Sequence, residues 1–399
     1  MSDKGMIYSL TSLRFFAAFA IVLHHARSII FPADFMLGIP LGHGVSFFFV
    51  LSGFILAHVY SGKIKSIHPY EFYVSRLARI WPAHIFTMLL VVILFPPVSW
   101  TQGAEPAWLV TLLNGTLLQA IVPIPAYYFS FNSVSWSIST EMFFYLAFPF
   151  LLAHLDKTWH IKLIALLATG GLIATLLDLH KVNYYSPDKI TIFSGHGLAY
   201  ISPALRIQEF FIGILLFKFY NSIKRYRFFN AVTCTILELL SIAAVILLTK
   251  KVLVFAYVQS GAGNVASGEF WGHCATGLLF GLIIVIFAFN RGILSKLLGL
   301  RFFVILGEIS FAIYMLHQIV FRYYAGHRSL FSDIPTPLVF SCLVLVTIVM
   351  AYAMWRYVEI PSQKWLKKVL IRKERQPNEP ACRTAQETRS TPSYPAFQR

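Results

Sequence analysis

Inside the first apolar run of the chain stand a guanidinium and an imidazole, Arg14 and His25, with a second histidine, His24, beside the latter. Ionisable side chains in an apolar, membrane-length helix are costly, so each is a functional candidate. Eleven residues of helix advance about 1100°, three turns plus roughly 20°, and rise about 16 Å. Arg14 and His25 therefore share a face, whereas His24 lies about 80° away. Histidines near a helix end are also ordinary packing residues, and only the same-face arginine sets His25 apart. A carboxylate, Glu141, follows the run Asn132-Ser133-Val134-Ser135-Trp136-Ser137-Ile138-Ser139-Thr140. Counting from the outer helix ends, Glu141 lies about 10 Å deep and His25 about 7 Å deep. One layer would hold both, and a His25–Glu141 pair is expected. Histidine, carboxylate and guanidinium in apolar surroundings are the groups that move protons and stabilise charge.

Arg76 and Arg79, in Arg76-Leu77-Ala78-Arg79-Ile80-Trp81-Pro82, are spaced to share a helical face. Such a cluster suits a cytoplasmic loop, and two fixed guanidiniums also suit a nucleotide phosphate. Pro82 suits an early helical position. Ser52 and Gly53 interrupt the aromatic run Ser46-Phe47-Phe48-Phe49-Val50-Leu51 and would let helices approach closely. Arg206, Glu209, Glu308, Tyr314 and His317 are further polar groups in apolar segments.

The elements that must position these groups are membrane helices. Of 399 residues, 57% are hydrophobic and only 13% charged, more apolar side chain than one soluble core could hide. Apolar runs of spanning length fall near 7–30, 43–60, 81–97, 134–153, 161–177, 200–219, 231–255, 270–290, 302–322 and 338–357. The chain has 33 Lys+Arg against 17 Asp+Glu. In a soluble protein that excess would suggest nucleic acid; here the positive-inside rule accounts for it. With ten spans and a cytoplasmic N-terminus, Lys63, Lys65, Arg76, Arg79, Lys157, Lys162, Lys218, Lys224, Arg225, Arg227, Arg291, Lys296 and Arg301 fall on one side. Were the shorter run 106–122 also to span, every later loop would flip and the asymmetry would vanish. That stretch carries Asn114 and Gln119 and reads as an interfacial or re-entrant helix. The expectation is an all-α integral membrane protein of about ten spans, both termini cytoplasmic, with a membrane domain over 1–370 and a polar, disordered tail over 371–399. The four cysteines have neither disulfide nor metal-ligand spacing, so no metal is expected. The N-terminus lacks the pattern of a cleaved signal peptide.

Taken together, these segments resemble the acyltransferase-3 family of bacterial membrane O-acyltransferases. Its first-helix pattern of Arg or Lys, ten residues, then His is met by Arg14 and His25. Phe-Phe-x-Leu-Ser-Gly is met by Phe48 to Gly53, Arg-x-x-Arg by Arg76 and Arg79, and Trp-Ser-x-x-x-Glu by Trp136 to Glu141. The stretch Gly307 to His317 is also similar. The resemblance covers residues 8 to about 365 and implies a ten-helix core in the bacterial cytoplasmic (inner) membrane. It implies transfer of an acyl group, commonly acetyl, from cytoplasmic acyl-CoA to a hydroxyl of a surface or lipid-linked carbohydrate. A sugar hydroxyl is a poor nucleophile, and a neutral histidine is a suitable general base. His25 takes that role, Glu141 orients it, and Arg14 guides the donor or stabilises thioester charge. Arg76 and Arg79 bind the CoA phosphates, and Ser52 and Trp136 line the path between the sides. Some family members continue into a soluble hydrolase-like domain, which is not expected here.

Other readings stay open. The acceptor could be a small natural product such as a macrolide. A secondary transporter with an intramembrane His/Glu proton relay would use similar residues, but neither inverted repeats nor paired Gly/Pro interruptions are evident. A non-enzymatic scaffold would not need the Arg14–His25 pairing.

Overall fold

The computed structural model describes residues 6–31, 38–62, 68–261 and 263–374. Lys63, Lys65 and the part of the expected tail from 375 onward lie outside these residues. Among the described residues the chain is mostly helical, with no strand. Its longer helices are α1 (Tyr8–Ile29), α2 (Gly44–Tyr60), α3 (Pro69–Leu94), α4 (Ala107–Gly115), α5 (Trp136–Leu152), α6 (Leu155–Leu179) and α7 (Ile207–Ile223). There follow α8 (Ala231–Ser260), α9 (Val265–Ala288), α10 (Arg301–Glu308), α11 (Ser310–Gly326), α12 (Thr336–Met354) and α13 (Ile360–Glu374).

Seven helices are long and apolar enough to cross a membrane, α12 and α13 counting as one, and the α10–α11 pair makes an eighth if it is a single span. The two other expected spans, α5 and α7, are helices of 17 residues each, near the lower limit for crossing. Large apolar side chains face outward, among them Ile93 at 75% and Phe150 at 73% exposure. A water-soluble fold would bury such groups, so hydrocarbon is their natural solvent.

The boundaries follow local chemistry. Pro69 opens α3 at a position where its missing N–H costs nothing, and Glu71 sits in the first turn. The helix thus starts well before residue 81, and Pro82 lies inside it, contrary to the early position expected. The Asn230 side chain accepts from Thr233 N at 3.0 Å and caps α8. The run 106–122 holds only the nine-residue α4 and a short turn at Gln119–Ile121, too short to span. Trp81 Nε1 donates to the Gly115 carbonyl at 2.9 Å, and Asn114 Nδ2 donates to Ser130 O and Oγ. The polar residues that make this run a poor span therefore tie it to α3 and to the segment leading into α5.

Two crossings bring the chemistry-bearing helices together. A Cβ on Gly53 would lie 1.9 Å from the Phe210 carbonyl oxygen, and one on Gly213 would lie 2.0 Å from that of Val50. Only hydrogen at both positions lets α2 and α7 touch backbone to backbone. At the other crossing, a Cβ on Gly307 would meet the Thr11 carbonyl oxygen at 2.0 Å. Immediately after this contact the chain bends by 58° between α10 and α11, and α11 continues along α1. Gly53→Ala is expected to overpack its crossing by about 1–3 kcal/mol and to lower the apparent unfolding temperature in detergent. Gly115→Ala, where nothing lies within 4 Å of the added carbon, should leave that temperature unchanged.

Candidate active site

A cavity of about 640 Å³ opens among α1, α2, α3, α5, α11 and the α12–α13 junction. Five of the residues expected to do chemistry line it: Arg14, Ser52, Arg76, Arg79 and Glu141. Glu308 and Glu359 add carboxylates; Glu359 ends a π-helical turn, Trp355–Glu359, that joins α12 to α13. Such turns widen a helix locally and recur at functional sites. Val45 and Val59 mark the extremes of α2 that line the cavity, a reach of about 21 Å.

The charges in this cavity are not matched one to one. Among the described residues none of the three arginines makes an ion pair. Arg76 donates to Tyr60 Oη at 3.4 Å and lies over the Tyr60 and Tyr145 rings, yet its Nε is buried without a hydrogen-bond partner. Glu141 accepts from Ser52 Oγ at 2.8 Å and Tyr145 Oη at 2.7 Å. Guanidinium donors thus remain unspent in a cavity of mixed polar and apolar lining, an arrangement suited to an anionic ligand.

His25 lies outside the cavity lining, and its partner is not Glu141. His25 Nδ1 stands 2.9 Å from His317 Nε2, with ring centroids 5.0 Å apart. The expected pairing with Glu141 rested on counting depth from residue 134 as the outer end of its helix. Instead α5 begins at Trp136 beneath segment 107–135, where Asn114, Gln119, Ser130, Asn132 and Ser135 are buried. That lowers Glu141 to the layer of Arg14.

The dyad has a defined proton order. His317 Nδ1 is 3.2 Å from the Ile313 carbonyl oxygen, which can only accept, so Nδ1 carries the hydrogen. A neutral His317 then offers a bare Nε2, and His25 Nδ1–H donates to it. His25 Nε2 is left with a free lone pair, the form a general base requires. His317 was legible as a polar group in an apolar run, but nothing in the spacing linked it to a histidine 292 residues earlier. Trp136 is buried at 6% exposure; it packs on Phe49 and Tyr200 and is not among the residues lining the cavity. His24 has its ring 5.2 Å from that of His25.

A family profile described as an acyltransferase domain matches residues 7–356. The chain is 31% identical over 335 residues to "Acyltransferase MdmB" of Streptomyces mycarofaciens, covering 80% of each. It is 23% identical over 384 residues to "O-acetyltransferase OatA" of Staphylococcus aureus, covering 91% of this chain but 58% of that protein. With "Peptidoglycan O-acetyltransferase OatA" of Listeria monocytogenes it shares 25% identity over 236 residues, 52% of this chain and 36% of the relative. No solved structure matches.

A second buried charge cluster holds an ion pair, although Glu209 Oε1 has no hydrogen-bond partner. Arg206 Nε donates to Glu209 Oε2 at 2.6 Å, with further bonds to the Tyr200 carbonyl and Ser46 Oγ. Its guanidinium also lies over the Phe49 and Tyr200 rings. These contacts tie α2 to α7 and identify a packing element. Arg206→Leu alone leaves Glu209 buried and uncompensated, an expected loss of about 3–5 kcal/mol. Arg206→Leu with Glu209→Leu should recover both folded yield and activity; a folded but inactive double variant would give the pair a chemical role.

Proposed function

Because the chain belongs to this family of acyltransferases, which includes O-acetyltransferases among its relatives, we propose that it moves an acetyl group from cytoplasmic acetyl-CoA to a carbohydrate hydroxyl. The carrying observation is the juxtaposition of a cavity bearing unpaired arginines with a histidine dyad whose outward nitrogen is a free base. Arg76 and Arg79, at the α3 end of the cavity, hold the phosphates of the coenzyme. Arg14 lies about 16 Å along α1 from His25, too far to act on the carbonyl that His25 serves, so it steers the donor. The pantetheine arm runs along α2 toward the dyad.

At the dyad His25 Nε2 takes the hydroxyl proton as the oxygen attacks the thioester carbonyl. The carbon–sulfur bond breaks, the ester carbon–oxygen bond forms, and the proton passes from His25 to the departing thiolate. His317 accepts from His25 Nδ1–H throughout, fixing the tautomer and stabilising the transient imidazolium, the orienting role first given to Glu141. Glu141 instead holds Ser52 and Tyr145 and balances the arginines. The Listeria relative is a peptidoglycan O-acetyltransferase, which supports a surface or lipid-linked carbohydrate as acceptor in preference to a small natural product. Family and apolar helices together place the work in the membrane, in this reading the bacterial inner membrane.

The test is acetyl transfer by the purified protein in nanodiscs, from labelled acetyl-CoA to the surface-glycan fraction of cells lacking it. His25→Ala should abolish transfer while leaving the apparent unfolding temperature near that of the unmodified protein. His317→Gln should lower kcat by about 10²-fold with little change in KM for acetyl-CoA. Near-normal transfer by His25→Ala would sink the base assignment, and labelling of small secreted metabolites but no glycan would redirect the acceptor. Arg76→Gln and Arg79→Gln should each weaken coenzyme A binding by about tenfold, the equivalent of about 1.4 kcal/mol. The loss should shrink at high salt, because exposed charge is screened. Unchanged binding by both variants would move the phosphates elsewhere.

A further inference from the structure

The donor cavity and the histidine dyad do not open into one another by way of the residues that line the cavity. Val45, Phe48, Ser137 and Tyr314 close the inner end, and neither His25 nor His317 is among the lining residues. A ladder of rings occupies the gap: Phe48 to Tyr314 at 6.3 Å between centroids, Tyr314 to His317 at 5.9 Å, and His317 to His25 at 5.0 Å. A thioester carbonyl presented to His25 must pass the first two rings.

The two rings differ in how firmly they are held. Tyr314 is buried, and its hydroxyl lies 2.8 Å from Ser137 Oγ and 3.0 Å from the Val134 carbonyl oxygen. Swinging it away would leave buried polar atoms unpaired, at a cost of about 1–3 kcal/mol. Phe48 has no polar atom to satisfy and is only half-buried. One edge of its ring meets Phe47 at 6.0 Å, and it borders the cavity. Where one ring is fixed and its neighbour is free to change rotamer, the free one sets the width of the passage.

Resting on the donor reading above, we propose that Phe48 is the acyl-selecting residue: its ring, closing against the fixed Tyr314, admits a short acyl group to His25 and turns away longer ones. A single methylene in a confined apolar passage changes discrimination by about 10–200-fold, so one ring is enough to separate acetyl from butyryl.

The experiment compares the unmodified protein, Phe48→Ala and Phe48→Leu in nanodiscs with acetyl-, propionyl-, butyryl- and hexanoyl-CoA. The acceptor is the same surface-glycan fraction, and both free thiol and acylated glycan are read. The unmodified protein should lose turnover steeply with chain length. Phe48→Ala should raise the butyryl-to-acetyl ratio at least about tenfold, with Phe48→Leu between. Phe48→Leu, the closer in volume, carries the test if Phe48→Ala does not fold. An unchanged ratio with acetyl turnover retained overturns the proposal, as does equal use of all four donors by the unmodified protein. Folded variants inactive with every donor also overturn it, making Phe48 a packing residue. If the unmodified protein turns over none of the thioesters, the donor reading itself falls.

Discussion

The bond between His25 and His317 joins two helices that are nearly three hundred residues apart in sequence, and it exists only because of how they cross. Gly307 lets α10 reach the backbone of α1 at Thr11. The 58° bend that follows then redirects α11, so that its histidine arrives at the level of His25 two turns further on. A side chain at position 307 would push the helices apart by more than a hydrogen bond can stretch. The Ile313 carbonyl, by fixing one proton on His317, propagates a preference to His25 and leaves its outward nitrogen basic. Helix geometry, rather than any additional charged group, determines the protonation order.

The intramembrane charges divide into two kinds by how completely they are satisfied. Arg206 has a carboxylate, a carbonyl, a hydroxyl and two ring faces, and it donates from all three of its nitrogens within the protein. Arg14, Arg76 and Arg79 do not, although three carboxylates border the same cavity. Arg14 and Arg76 are half-buried and Arg79 is exposed. Three guanidiniums left without an ion pair beside an opening suit a ligand that brings negative charge with it.

Much of this was readable beforehand, and the failures have physical causes. The common face of Arg14 and His25 follows from helical periodicity alone, and the i,i+3 arginines of α3 do enter one cavity with Arg14. Apolar length located the helices, and loop charge rightly denied a straight span to 106–122, where the observed helix has nine residues. Depth failed for Glu141 because the count assumed that its helix starts at the surface, whereas segment 107–135, with its buried polar residues, folds over its beginning. Pro82 misled because proline is tolerated within a membrane helix more readily than the rule for soluble helix starts allows. The bend between Glu308 and Ser310 and the partnership of His317 are tertiary, and no local pattern encodes them.

The ring layer between cavity and dyad has a consequence for the membrane as well as for the chemistry. In the proposed function, a protein that accepts a water-soluble donor on one side and a glycan on the other risks being a hole. Each elementary charge crossing a potential of 100 mV dissipates about 2.3 kcal/mol, and a continuous file of water past Arg14 to His25 would be a route for it. The neighbouring rings of Phe48 and Tyr314, tilted at 59° to one another, interrupt that file with apolar surface. Under the proposed function, acyl transfer across the bilayer and electrical insulation would be met by the same two side chains.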